Sequence, residues 1–171
     1  SKVIIANYLL ESLYFYNGFN FFYLLASRNK MVGTSDIIRL INRDELSHVV
    51  LFRSIVKEIK NDYPEFFSAE TIYSMFNTAV EQEINWTEHI IGNRVLGITS
   101  QTTEGYTKWL ANERLKSLGL EPLYSGFTKN PYKHLERFAD TEGEGNDKSN
   151  FFEGTVTSYN MSSSIDGWED F

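Results

Sequence analysis

From Val3 to about Ser27 the chain has no proline and one glycine, Gly18, and its apolar side chains fall on nearly every face of the helix such a run would form. A helix that is apolar all round holds its shape in water only when other elements surround it, so this segment predicts the middle of a helical assembly. It is also long enough to cross a bilayer, but Asn7, Glu11, Asn17 and Asn20 interrupt it, and neither a basic flank nor a small-residue cleavage site follows. The expectation is a buried helix.

The pattern breaks at Arg28–Gly33. Thr34-Ser35-Asp36 then offers short oxygen-bearing side chains that can cap a helix N-terminus. A second helix is predicted from there to about Lys60, with Ile37, Leu40, Ile41, Asp44, His48, Leu51, Phe52 and Ile55 on its inner face. Asn61-Asp62-Tyr63-Pro64 stops it. Ser68 or Thr71 can cap a third helix running to about Ile91, with Gly92 and Gly97 bracketing the next connection. Thr102-Thr103-Glu104 opens a fourth, which ends near Leu118 before Gly119. No alternation of period two appears, so the fold class is all-α, a bundle of helices joined by short loops. Residues 1–139 form the bundle unit.

After Asn130-Pro131 the composition changes, and Asp140 to Ser149 is too polar to bury. Residues 140–171 are therefore expected to be a flexible linker and tail. Its closing stretch, Ile165-Asp166-Gly167-Trp168-Glu169-Asp170-Phe171, carries large apolar anchors on an acidic background. That composition suits a peptide ligand for a partner's groove, because a few aromatic anchors can dominate binding; an end with no partner is the alternative.

The length of 171 residues is enough to bury a core without disulfides or a structural metal. With no cysteine, any metal must sit on oxygen and imidazole ligands. The formal charge of −7 and the scattering of the sixteen basic residues exclude a nucleic-acid or anionic-membrane footprint, leaving small molecules and proteins as partners.

Three residues stand out chemically. Glu11 is framed by Leu9, Leu10, Leu13 and Phe15, where an ionised carboxylate must be paired, neutralised or metal-bound. Glu45 and His48, at i and i+3, leave their helix on the same side and can meet one ion. Glu-x-x-His alone is a weak signal. Combined with a Glu on the neighbouring helix, it makes one half of the carboxylate-bridged two-metal pattern of helical bundles, in which another helix pair supplies the other half. The remaining candidates, Glu81, Glu83, Glu88, His89, Glu104 and Glu113, lack the spacing and the apolar setting. The competing reading is a polar network in which Glu11, Asp44, Glu45 and His48 pair with Arg39 or Arg43 to fix helix register.

Leu10-Glu11-Ser12-Leu13-Tyr14-Phe15-Tyr16 together with Ile38-Arg39-Leu40-Ile41-Asn42-Arg43-Asp44-Glu45-Leu46-Ser47-His48 resembles the third and fourth metal-bearing helices of the class I ribonucleotide reductase small subunit. The resemblance continues through Gln82-Glu83-Ile84-Asn85-Trp86, Asn112-Glu113-Arg114-Leu115, Leu118-Gly119-Leu120, Asn130-Pro131 and Asn150-Phe151-Phe152-Glu153, and it corresponds to the family's C-terminal half. It implies a ferritin-like bundle half in which Glu11, Glu45 and His48 are metal ligands, with Glu45 bridging two ions. It also implies that Phe15, Phe19 and Ile41 line the apolar pocket around a radical-bearing tyrosine, and that Asp44 links a metal-bound histidine to the radical-transfer route. Tyr159 resembles the tail tyrosine of that route, and Ile165, Trp168 and Phe171 belong to the peptide that docks on the large subunit. The family's other carboxylate, its first Glu-x-x-His and the radical-bearing tyrosine belong on helices preceding this chain.

The resemblance thus implies a dinuclear metal centre, iron ahead of manganese, that is incomplete in this chain alone, and a cytoplasmic ribonucleoside-diphosphate reductase. The implied partners are an N-terminal small-subunit fragment from a divided or cleaved subunit, the large catalytic subunit, and a second small subunit in a dimer. Two rival readings remain: a metal-free remnant or assembly protein that binds the large subunit through its tail, and another ferritin-like dimetal oxidase completed by homodimerisation.

Overall fold

The structure is a computed structural model that describes residues 2–139. Tyr159, Ile165, Trp168, Phe171 and the linker that begins at residue 140 lie outside the described residues. Among those described, all regular structure is helical.

The long apolar segment is not one helix. It forms α1 (Lys2–Leu9), a five-residue π turn (Leu10–Tyr14) and α2 (Tyr16–Ala26). A π turn opens the i→i+4 ladder by one residue, and such openings are rare and frequently found at functional sites. The apolar run is surrounded as expected: Ile5, Tyr8, Leu9, Leu13, Phe19, Tyr23 and Leu24 are buried. No helix among the described residues is long and apolar enough to cross a membrane.

The second helix, α3 (Val32–Asp62), starts two residues before Thr34, behind Met31 in the left-handed region (φ 51°). Thr34-Ser35-Asp36 is therefore inside it, and Ser35 is buried. The inner face also differs from the expected one. Ser35, Asn42, Val49 and Val56, seven residues apart, are the buried positions of α3. Ile37, Ile41, Leu51 and His48 are exposed. The chain's own helices cover only one edge of the apolar stripe, and the rest has no cover among the described residues.

The last two long helices, α4 (Ala69–Ile90) and α5 (Ser100–Ser117), have legible ends. Ser68 Oγ accepts from the Thr71 amide, and Thr99 and Thr102 form a reciprocal capping box, so α5 opens two residues before Thr102. Gly92 (φ 53°) ends α4; a Cβ there would sit 3.0 Å from the Glu88 carbonyl oxygen. The connection after α5 folds back onto it through buried Asn112, whose side chain donates to the Tyr124 and Phe127 carbonyls and accepts from the Tyr124 amide. It closes with a short α6 (Glu136–Ala139).

The core sits where α1, the π turn and α2 pass α4 and α5, with Tyr8, Phe76, Ala111, Leu115 and Val80 almost wholly buried. The α1–α2 segment and α3 run antiparallel. Tyr23 meets Asn42 near one end, and Glu11 meets His48 further along.

Candidate metal centre

Glu11, from the π turn, converges with Glu45 and His48, from consecutive turns of α3; one ligand atom of each lies within 4.8 Å of the others. His48 Nδ1 is 3.0 Å from Glu45 Oε2 and 3.5 Å from Glu11 Oε2. Both carboxylates are mostly covered, at 19% and 17% exposure, whereas the imidazole is half exposed on the uncovered face of α3.

The local electrostatics call for a cation. A hydrogen bond with Glu45 raises the Glu11 pKa first, then burial and the charge of Glu45. The His48 pKa is raised as well, chiefly by its hydrogen bond to Glu45. Of the competing polar network the Arg43–Asp44 pair forms and His48 joins Glu11 and Glu45, whereas Arg39 pairs with Asp36 and neither arginine makes an ion pair with Glu11 or Glu45. Two carboxylates and an imidazole, with no thiolate, form a donor set that suits iron, manganese and similar divalent ions. These residues fit such an ion, and three ligands are fewer than a pair of ions requires.

The other predicted positions fall around this group unevenly. Phe19 is buried, and its ring stacks with that of Phe15 at 6.2 Å between centroids. Phe15 and Ile41, 39% and 41% exposed, lie at the open surface. Asp44 is largely exposed and 3.3 Å from Arg43, not beside His48.

One residue set aside on spacing proves to be buried. Glu83, on α4, is 2% exposed, and its Oε1 accepts from Asn17 Nδ2 at 3.1 Å. Burial pushes its pKa up to about 7 against the lowering effect of Asn17 and Thr87, so much of it is neutral at neutral pH. Its setting was not apparent because Asn17, the partner outside its own helix, comes from α2, far away in sequence. The π turn likewise had no local signal. Tyr14 OH donates to Gln82 Oε1, and Arg114 Nε donates to the Ser12 carbonyl, so distant side chains reach that segment too. His89 is exposed at the end of α4, as expected of a residue outside the centre.

Comparison with known proteins gives a consistent result. The family model described as "Ribonucleotide reductase, small chain" matches residues 1–131. Over 167 residues the chain is 40% identical to the ribonucleoside-diphosphate reductase subunit beta of Treponema pallidum, covering 96% of this chain and 47% of that protein. It is 38% identical over 170 residues to the subunit beta of Halalkalibacterium halodurans, covering 98% and 48%. The solved ribonucleotide reductase R2 subunit from Clostridium botulinum superposes with a TM-score of 0.76 at 44% identity, covering 80% of this chain and 44% of that one. The chain spans about half the length of the relatives it matches.

Proposed function

The chain belongs to the ribonucleotide reductase small-chain family and has its ferritin-like helical fold, and from that premise we propose that it supplies half of a dimetal-carboxylate site to a ribonucleoside-diphosphate reductase. The observation that carries this reading is the convergence of Glu11, Glu45 and His48 as a half-set of ligands on an uncovered helical face. A polypeptide corresponding to the family's N-terminal half covers that face and brings the matching ligands.

In this reading Glu11, Glu45 and His48 would hold the metal, Glu45 as the carboxylate shared between two ions and His48 through Nδ1, the nitrogen turned toward both carboxylates. Bound metal, iron ahead of manganese, supplies the one-electron oxidising capacity of the assembled subunit. The chain's own residues prepare its place. Glu11 and His48, whose pKa values are both raised, would have to be deprotonated to hold the cation, so binding weakens as pH falls. Phe15, Phe19 and Ile41 form an apolar rim that excludes water once the partner is seated. Asp44 adjoins the radical-transfer route, which continues through Tyr159, while Ile165, Trp168 and Phe171 dock the tail on the large catalytic subunit. Residues 1–139 act as the bundle half and residues 140–171 as linker and tail. The assembled protein is a cytoplasmic small subunit, present as a dimer.

The test is metal content and optical spectrum after loading with Fe(II) and oxygen, for the chain alone and mixed with a family N-terminal fragment. The split-site reading expects a two-iron chromophore only in the mixture. Tight binding of two metals by the isolated chain would overturn it.

A further inference from the structure

Glu11 lies in the π turn, and a π turn is a costly conformation that needs support from its surroundings. Three side chains from α4 and α5 reach this segment. Gln82 Oε1 accepts from Tyr14 OH at 2.8 Å, at the end of the turn. Arg114 Nε donates at 3.1 Å to the carbonyl of Ser12, the residue after Glu11, and its guanidinium lies 5.1 Å from the centre of the Tyr16 ring. Glu83 Oε1 accepts at 3.1 Å from Asn17 Nδ2, which also donates to Thr107 Oγ1 at 2.9 Å. The three contacts fall on the second half of the turn and the start of α2, from Ser12 to Asn17.

We propose that Gln82, Glu83 and Arg114 form a clamp that holds the π turn open and thereby positions the Glu11 carboxylate against Glu45 and His48. They are positioning residues and touch no ligand. The proposal rests on Glu11 acting as a metal ligand only for its functional consequence; the clamp itself stands on the hydrogen bonds. A carboxyl buried as deeply as Glu83 would be replaced at no loss by an apolar residue if it served packing alone. Its use here is directional, because Oε1 fixes the amide of Asn17, which in turn spans to α5. Arg114 gives the Ser12 carbonyl a side-chain donor at the point where the regular ladder is opened. The groups facing Glu83 are Asn17 and, on its own helix, Thr87, both uncharged, and the Tyr14 phenol, whose pKa is raised by burial first and by Glu83 second.

Amide hydrogen exchange of the full chain tests the clamp, comparing wild type with Glu83→Gln, Glu83→Leu and the milder Arg114→Lys. Glu83→Gln keeps a neutral acceptor for Asn17 and is expected to retain wild-type protection at residues 10–16. Glu83→Leu and Arg114→Lys are expected to lose protection there by about tenfold or more, with residues 72–80 of α4 unchanged as the reference for global opening. Unchanged exchange at residues 10–16 in both of these variants, or equal losses in Glu83→Gln and Glu83→Leu, would overturn the proposal. A Co(II) absorption titration of the chain mixed with a family N-terminal fragment then separates the two ideas. Weaker Co(II) binding in the clamp variants, with wild-type binding in Glu83→Gln, is expected. If wild type gives no Co(II) spectrum, the ligand reading fails, while the exchange result still decides the clamp.

Discussion

Asn42 Nδ2 donates to Tyr23 OH at 3.1 Å, a buried bond that pins α3 to α2 at one register. The antiparallel pairing it fixes is what lets Glu11 and His48, many residues further from the connecting loop, arrive at the same level. Burial pushes the Tyr23 pKa up to about 12, so the phenol stays protonated across the physiological range. Asn42→Ala leaves that hydroxyl without its donor and is expected to cost about 1–3 kcal/mol, read as a lower urea midpoint.

Glu83 predicts a pH-dependent stability. Its folded pKa of about 7 lies above the ordinary value of 4.5, so between these limits the native state binds more protons than the unfolded one. Its contribution is full below pH 4.5 and is lost as pH rises toward about 7, a difference of about 3 kcal/mol at most. Urea unfolding at pH 5 and pH 8 should show this slope in wild type relative to Glu83→Gln. Parallel profiles for the two proteins would contradict it.

His48 separates metal binding from folding. Its imidazole is half exposed, so His48→Ala should lower the thermal or urea midpoint far less than it lowers metal retention. Divalent-metal retention by the completed site should fall by more than about tenfold, since losses outside the ligand shell can already reach that size. Measuring both on one preparation shows whether His48 is a ligand or a surface side chain.

The uncovered stripe on α3 makes the opposite prediction for partner binding. Ile37 and Ile41 are 61% and 41% exposed, so Ile37→Glu and Ile41→Glu should leave the chain's own stability within about 0.5 kcal/mol. Association with the N-terminal fragment, followed by calorimetry, should weaken by about 2 kcal/mol or more if these residues are buried at its centre.

Much of the architecture could be read from the chain. Gly92 and Gly119 end α4 and α5 as glycines in the left-handed region do, Ser68 caps α4, and the Glu11, Glu45 and His48 trio follows from helical spacing on two neighbouring helices. These are local signals, carried within one or two turns. What the sequence did not reveal depends on distant partners. The π turn is held from α4 and α5, and Glu83 is met by Asn17 of α2, so no window around residue 11 or residue 83 contains these partners. The buried edge of α3 was misplaced for a related reason. Periodicity marks an apolar stripe, but which part of it this chain covers is set by where the other helices lie.

The π turn also sets a rotational phase. Its opened ladder accommodates one more residue than a regular α-helix would, and each α-helical residue advances the chain by about 100°. A single deletion inside Leu10–Tyr14 could therefore restore an unbroken helix, yet Glu11 on one side and Asn17, Phe19 and Tyr23 on the other would no longer face their partners together. Insertions and deletions there should be far less tolerable than substitutions, because they change the angular offset between two sets of contacts that lie on one continuous rod.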